Sequence, residues 1–128
     1  MSPSEELRAF WRERHLATLA TLRPDGSPHV VPVGVTVDEA FQIARVICSA
    51  GSVKARNVRA AGSKGARVAV TQVDRRRWST LEGRAVVTDD PDAVRDAERR
   101  YAERYRLPRI NPHRVVLEIT IDRLLGMR

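Results

Sequence analysis

The chain has 128 residues, 42% of them hydrophobic, and 23 Lys and Arg against 16 Asp and Glu give a formal charge of +7. That length and apolar content suit a single folded domain over residues 1–128 and exclude a disordered chain. The arginine excess favours anionic partners, whether nucleic acid, a phosphorylated ligand or a carboxylate-rich small molecule, and says nothing about the fold.

No run reaches the apolar length of a membrane span, and Glu5 and Glu6 spoil the basic-then-apolar order of a signal peptide, so a cytoplasmic protein away from membranes is expected. Cys48 is the single cysteine. It has no partner for a disulfide or a zinc site and reads as a small buried hydrophobe.

In chain order, Ser4 can cap a short helix with Glu5 and Glu6 in its first turn and Leu7, Phe10 and Trp11 at helical spacing. His15 then reads as a capping or packing residue. Leu16 to Leu22 alternates like a strand, and Arg23-Pro24-Asp25-Gly26 has the chemistry of a reversing turn. The return strand is expected over Pro28 to Val37, with four valines on one face and Val30, Pro32, Gly34 and Thr36 on the other. Pro32 cannot donate to a ladder and Gly34 has no side chain. That face either leaves room for something flat to approach the backbone or marks a barrel corner.

The stretch Gln42 to Asn57 carries the most information. An apolar strand, Ile43 to Cys48, runs into Ser49-Ala50-Gly51-Ser52 and then into a helix opening with Lys54-Ala55-Arg56-Asn57. Ser52 can cap that helix, and its first-turn amides, dipole and cationic heads would converge where a phosphate could sit. A plain strand-to-helix turn with solvated cations is the alternative. The helix ends near Ala61-Gly62.

Ala66 to Val73 is the next strand, and Asp74 to Arg77 makes a charged turn. The strand from Trp78 to about Thr88 places Trp78, Thr80, Glu82 and Arg84 on a polar face, where Trp78 either stacks on a ligand or covers a barrel mouth. Asp90-Pro91 starts a surface helix through Tyr101 and Tyr105, closed off by Pro108. Val115 to Ile121 alternates strictly and is the last strand. Six strands with few helices argue a mainly β protein, a closed or split antiparallel barrel with peripheral helices.

Nucleophile elbows, paired metal-spaced histidines and nucleotide glycine fingerprints are all missing, so no catalytic or metal-binding side chain is assigned. If the chain is an enzyme, a bound cofactor carries the chemistry.

Thr18 to Leu22, then Asp25-Gly26-Ser27-Pro28-His29-Val30-Val31-Pro32-Val33, then Gly51 to Asn57 resemble the split β-barrel flavin and deazaflavin oxidoreductases, the superfamily of pyridoxamine 5′-phosphate oxidase. Ile43 to Ile47 and Arg77 to Ala85 look most like its actinobacterial branch that uses coenzyme F420. Asp92 to Glu98 with Arg104-Tyr105-Arg106 is similar to the deazaflavin-dependent biliverdin reductases of that branch.

The resemblance implies a six-stranded split barrel acting as a homodimer, with each cofactor between two barrels. Coenzyme F420 is the expected cofactor and FMN the alternative. The phosphate end would match Ser52, Lys54 and Asn57. The ring would lie against Pro32, Val33, Gly34 and Val35 and against Ile47, Cys48 and Ser49, with Gln72 and Trp78 reaching in from the partner. The implied reaction is hydride transfer to a small conjugated acceptor, biliverdin among them, whose propionates Arg45 or Arg75 to Arg77 could hold. The loop Ser63-Lys64-Gly65 adds basic residues near the acidic tail of such a cofactor. A basic nucleic-acid-binding domain is the rival from another class, weakened by only 5% aromatics and no reading helix.

Overall fold

A computed structural model describes residues 2–128. Its elements are α1 (Glu5–Arg12), β1 (Ala17–Leu22), β2 (Pro28–Val33), β3 (Thr36–Val37), β4 (Ile43–Ser49), α2 (Val53–Ala60), β5 (Ala66–Asp74), β6 (Arg77–Thr88), α3 (Pro91–Arg104) and β7 (Arg114–Gly126). All seven strands pair antiparallel in one sheet, in the order β2-β1-β5-β6-β7-β4-β3, which curls into a split barrel.

Alternation along each strand sends Leu19, Val46, Val70, Leu81, Leu117 and Ile119 inward, where α1 adds Leu7, Phe10 and Trp11. Burying each large apolar side chain contributes about 1.5–3 kcal/mol. The ion pairs along α3, Arg99 with Asp96 and Glu103 and Arg100 with Asp96, are solvent-facing. Such pairs contribute about 0.2–1 kcal/mol each, so the barrel interior and not the helix surface holds the fold. Local signals agree with it: Ser4, Ser52 and Asp90 cap α1, α2 and α3 by accepting from the amides of Leu7, Ala55 and Ala93.

Two boundaries differ from the sequence expectation. The return strand over Pro28 to Val37 is two strands, which makes seven in all, because the backbone at Val35 leaves the ladder. Its amide donates to the Tyr105 hydroxyl at 3.1 Å, and its carbonyl accepts from Arg104 Nη1 at 2.6 Å. Side chains from α3 and its C-cap therefore take over bonds that a neighbouring strand would otherwise supply. The last strand, in turn, runs on to Gly126. Ile121 pairs with Gly83 and Arg123 with Glu82, leaving Asp122 as a bulge that interrupts the alternation, and Leu124 resumes the buried face. A β-carbon on Gly83 would overlap the Thr120 carbonyl, so this crossing needs glycine.

Candidate functional site

The ends of β2 and β4 lie on opposite sides of the split in the barrel, and between them opens a cleft of about 370 Å³. Pro32, Val33 and Gly34 form one wall, and Ile47, Cys48 and Ser49 form the other. Lys54 enters from the first turn of α2, where the amides of Val53 and Lys54 have no intrahelical acceptor. Seven of the twelve expected site residues thus meet in one place.

The remaining five sit elsewhere. Ser52 caps α2 beside the cleft. Asn57 is buried and donates from Nδ2 to Thr21 Oγ1 at 3.0 Å, tying α2 to β1. Val35 is buried in the break between β2 and β3. Gln72 is 1% exposed, with Nε2 donating to the Phe10 carbonyl at 2.9 Å and Oε1 accepting from Arg104 at 2.6 Å. Its amide already works as a strut within its own chain. Trp78 is about half exposed, packs over Gly126 and lies away from the cleft on the outer face of β6.

At Gly34, read either as room for a flat ligand or as a barrel corner, the backbone lines the cleft while the side-chain direction faces α3. A β-carbon there would come within 2.7 Å of Tyr101 Cε2 and 3.1 Å of Tyr105 Cε2, so the missing side chain makes room for the tyrosine pair of α3. Two of the four arginines named for propionates are also engaged. Arg45 lies under α3 with Nε 3.9 Å from Asp96, and Arg77 pairs with Glu13 and Asp74.

What the sequence reasoning missed is the other bank of the cleft. The segment after α3 brings Arg106, Pro108, Arg109 and Asn111 to it, joined by Tyr101 and by Arg114 at the start of β7. Asn111 Nδ2 donates to Ser49 Oγ at 2.9 Å and the Ala50 amide to the His113 carbonyl at 2.8 Å, which pins this segment to the end of β4. The lining therefore holds four cationic side chains, Lys54, Arg106, Arg109 and Arg114, and no carboxylate. Arg114 is paired with Glu98 at 2.7 Å from outside. The charge of Lys54, Arg106 and Arg109, which have no carboxylate partner among the described residues, in a concave, partly apolar site fits an anionic ligand with a flat body. A loop of Arg, Pro and Asn has no periodicity that could have announced this.

Beneath the Gly34 wall, Arg104 is 8% exposed and spreads its donors over three neutral acceptors, the Glu13 carbonyl at 2.8 Å, the Val35 carbonyl and Gln72 Oε1. Its guanidinium also lies 5.1 Å from the Tyr105 ring centroid. Burial lowers its pKa from the usual arginine range, and burial likewise raises that of Tyr105. At Cys48, burial pushes the thiol up, partly offset by a hydrogen bond with Ser52 and by nearby Lys54. The cleft therefore presents a protonated thiol at neutral pH rather than a nucleophile.

Residues 3–128 match the family described as pyridoxamine 5′-phosphate oxidase. The chain belongs to the pyridoxamine 5′-phosphate oxidase family. Within it, the chain is 57% identical over 123 residues to an F420H2-dependent biliverdin reductase of Mycobacterium tuberculosis, covering 96% of this chain and 87% of that protein. Among solved structures it resembles a conserved hypothetical protein of Mycobacterium tuberculosis with a TM-score of 0.77 at 26% identity, over 94% of this chain and 82% of that one. An F420 reductase superposes with a TM-score of 0.75 at 22% identity, over 95% and 98% of the two chains, a likeness of fold alone.

Proposed function

We propose that this member of the pyridoxamine 5′-phosphate oxidase family is a coenzyme F420-dependent reductase whose acceptor is a conjugated small molecule of the biliverdin type. The observation that carries the reading is the cleft at the barrel split, lined by four cations and no carboxylate. The full-length identity of 57% to a reductase of that description supports it.

When bound in its reduced form, F420 supplies a hydride, and the protein's part is to hold and orient. Lys54 and the first-turn amides of α2 would hold the phosphate. The backbone of Pro32 to Gly34 and the end of β4 would bracket the ring. Arg56, Arg59 and Lys64 would favour the acidic tail by charge, although Arg59 also donates to the Ala50 carbonyl at 2.6 Å and so shapes the turn itself. No side chain on the cleft is assigned as an acid, so the proton that completes the reduction comes from solvent. FMN likewise carries a tricyclic ring, a ribityl chain and a phosphate and is the alternative cofactor.

A homodimer completes the site in this proposal. The outer face of β2, β1, β5 and β6 exposes Leu22, Val30, Val73 and Trp78, with Val73 and Trp78 opposite each other in register, and Pro32 on the same face also lines the cleft. A second copy seated there would shield the cofactor from water. Light scattering at micromolar concentration should give the mass of two chains. A monomer that still binds cofactor tightly would remove the dimer from the account. For the activity, mixing with F420H2 and biliverdin under anaerobic conditions should oxidise the deazaflavin and consume the pigment together. No reaction with a fully loaded protein would refute this acceptor.

A further inference from the structure

A second pocket of about 420 Å³ adjoins the cleft and is lined by Arg14, Leu16, Tyr101, Tyr105 and Arg106. Tyr101 and Arg106 belong to both cavities, so the two are neighbours across one side chain of α3. The tyrosine rings, with centroids 4.9 Å apart and tilted by 36°, make an aromatic wall. Leu16, 67% exposed, supplies an apolar edge that nothing in the chain covers. No carboxylate lines the pocket. Arg14 donates from Nη2 to the Tyr105 carbonyl, which fixes its guanidinium at the rim. Arg106 makes no hydrogen bond or ion pair among the described residues, in a chain where Arg12, Arg67, Arg77, Arg95, Arg99 and Arg100 are each matched to a carboxylate.

An aromatic wall, an apolar edge and two guanidinium groups suit one class of molecule, a flat conjugated acid. Paired N–H donors on a guanidinium match a carboxylate in geometry as well as charge, and aromatic faces take the conjugated body. The position also separates acceptor from cofactor tail. Lys54 and the other α2 cations lie at the phosphate end, and none of them reaches this pocket, which instead abuts Gly34 through the tyrosines. We infer that the pocket across Tyr101 is the acceptor site, and that Arg106 is its specificity-determining residue, reading a carboxylate on the conjugated substrate with Arg14 beside it. This rests on the reductase reading above.

The test uses biliverdin and its dimethyl ester as probes, titrated by absorbance into the full chain with and without oxidised F420, with F420 binding followed separately by fluorescence. The protein should bind the diacid more tightly than the diester. Arg106→Ala should weaken diacid binding about tenfold or more and leave the diester unchanged, the usual scale for losing a hydrogen bond to a charged group. F420 affinity should fall by less than diacid affinity, because Arg106 lines the cleft as well as this pocket while Lys54 and the first-turn amides of α2 would hold the phosphate. Arg106→Lys should recover part of the diacid preference, which a merely structural role would not predict. Equal binding of diacid and diester by the unaltered protein overturns the assignment. So does a loss in Arg106→Ala that falls on F420 and grows with the number of glutamates in its tail. If neither F420 nor FMN binds while the Arg106-dependent diacid preference persists, the reductase reading falls and the carboxylate pocket stands.

Discussion

The two banks of the cleft are built in opposite ways. On the α2 side, Ser49, Ser52 and Lys54 lie within six consecutive residues, and a strand end, a cap and a helix first turn place them with no help from distant chain. On the α3 side, the wall at Gly34 is held by Arg104 and Tyr105, about seventy residues further along, through bonds to Val35, Gln72, Glu13 and His15. A bank made locally can be altered at the ligand with little cost to the fold. One made by long-range bonds cannot, and that contrast yields graded expectations.

The largest effect belongs to Arg104. Arg104→Ala removes the donor to Gln72 Oε1 and to the Glu13 and Val35 carbonyls, of which Val35 keeps only the Tyr105 hydroxyl at 3.3 Å, and removes a cation from between Trp11 and Tyr105. It should cost about 3–5 kcal/mol of stability, seen as a lower midpoint in guanidinium unfolding. A loss no greater than that of an average surface substitution would mean the wall does not depend on it.

Lys54→Ala touches the other bank. Cofactor binding should weaken by about 1.5–3 kcal/mol, the range for a hydrogen bond to a charged group, with an unchanged unfolding midpoint. Comparable losses of stability in the Lys54 and Arg104 variants would erase the distinction between the banks.

Gly34→Ala sharpens the comparison further. The new methyl would press on Tyr101, and overpacking of this kind costs about 1–3 kcal/mol. Pairing it with Tyr101→Ala should cost less than the two changes added together, because the second removes what the first collides with. Additive losses would mean that the glycine is needed for something other than the tyrosine.

The smallest effect is acid sensitivity at the end of α1. Arg77, and after it His15, hold the Glu13 carboxyl at about 2. A folded pKa below the unfolded one means the pair stabilises above the ordinary carboxylate range and that this contribution is lost as the pH falls from about 4.5 towards 2. The pair is exposed, so the change is small. Melting temperatures of the protein and of Glu13→Gln should differ slightly at pH 6, with the gap narrowing as the pH falls below about 4.5 and closing only at or below about 2. A constant gap would contradict the linkage.

Those same differences explain what was readable in the sequence. Ser52, Asp90-Pro91, the alternation of β1 and β6 and the apolar run of β4 are local signals, and each stands where it was expected. Ser52 and Lys54 were legible as an anion-ready turn because a strand end and a helix start adjoin in sequence, whereas Pro32 to Gly34 and Ile47 to Ser49, which line the cleft, were implied by the family resemblance. Pro32 and Gly34 hinted at a corner in the return strand, but the break at Val35 itself depends on a phenol and a guanidinium arriving from α3. Gln72, which the family resemblance implies as a contact from the partner, is met inside its own chain by Arg104, a bond from thirty-two residues away that no local pattern announces. Arg106 and Arg109 lie in a loop whose position is fixed by the bond of Asn111 to Ser49, a contact 62 residues apart in the chain.

The measurement that bears most directly on the cleft as a deazaflavin site is a pair of fluorescence titrations, F420 and FMN, each at low and high salt. Both ligands offer a phosphate to Lys54, so the difference lies in the acidic tail, which the free charges of Arg56 and Lys64 should attract at low ionic strength and release as screening shortens their reach. F420 should bind more tightly than FMN, with the margin narrowing as salt rises. Tighter binding of FMN under both conditions, or a yellow flavin that stays with the protein through purification, would contradict the deazaflavin assignment.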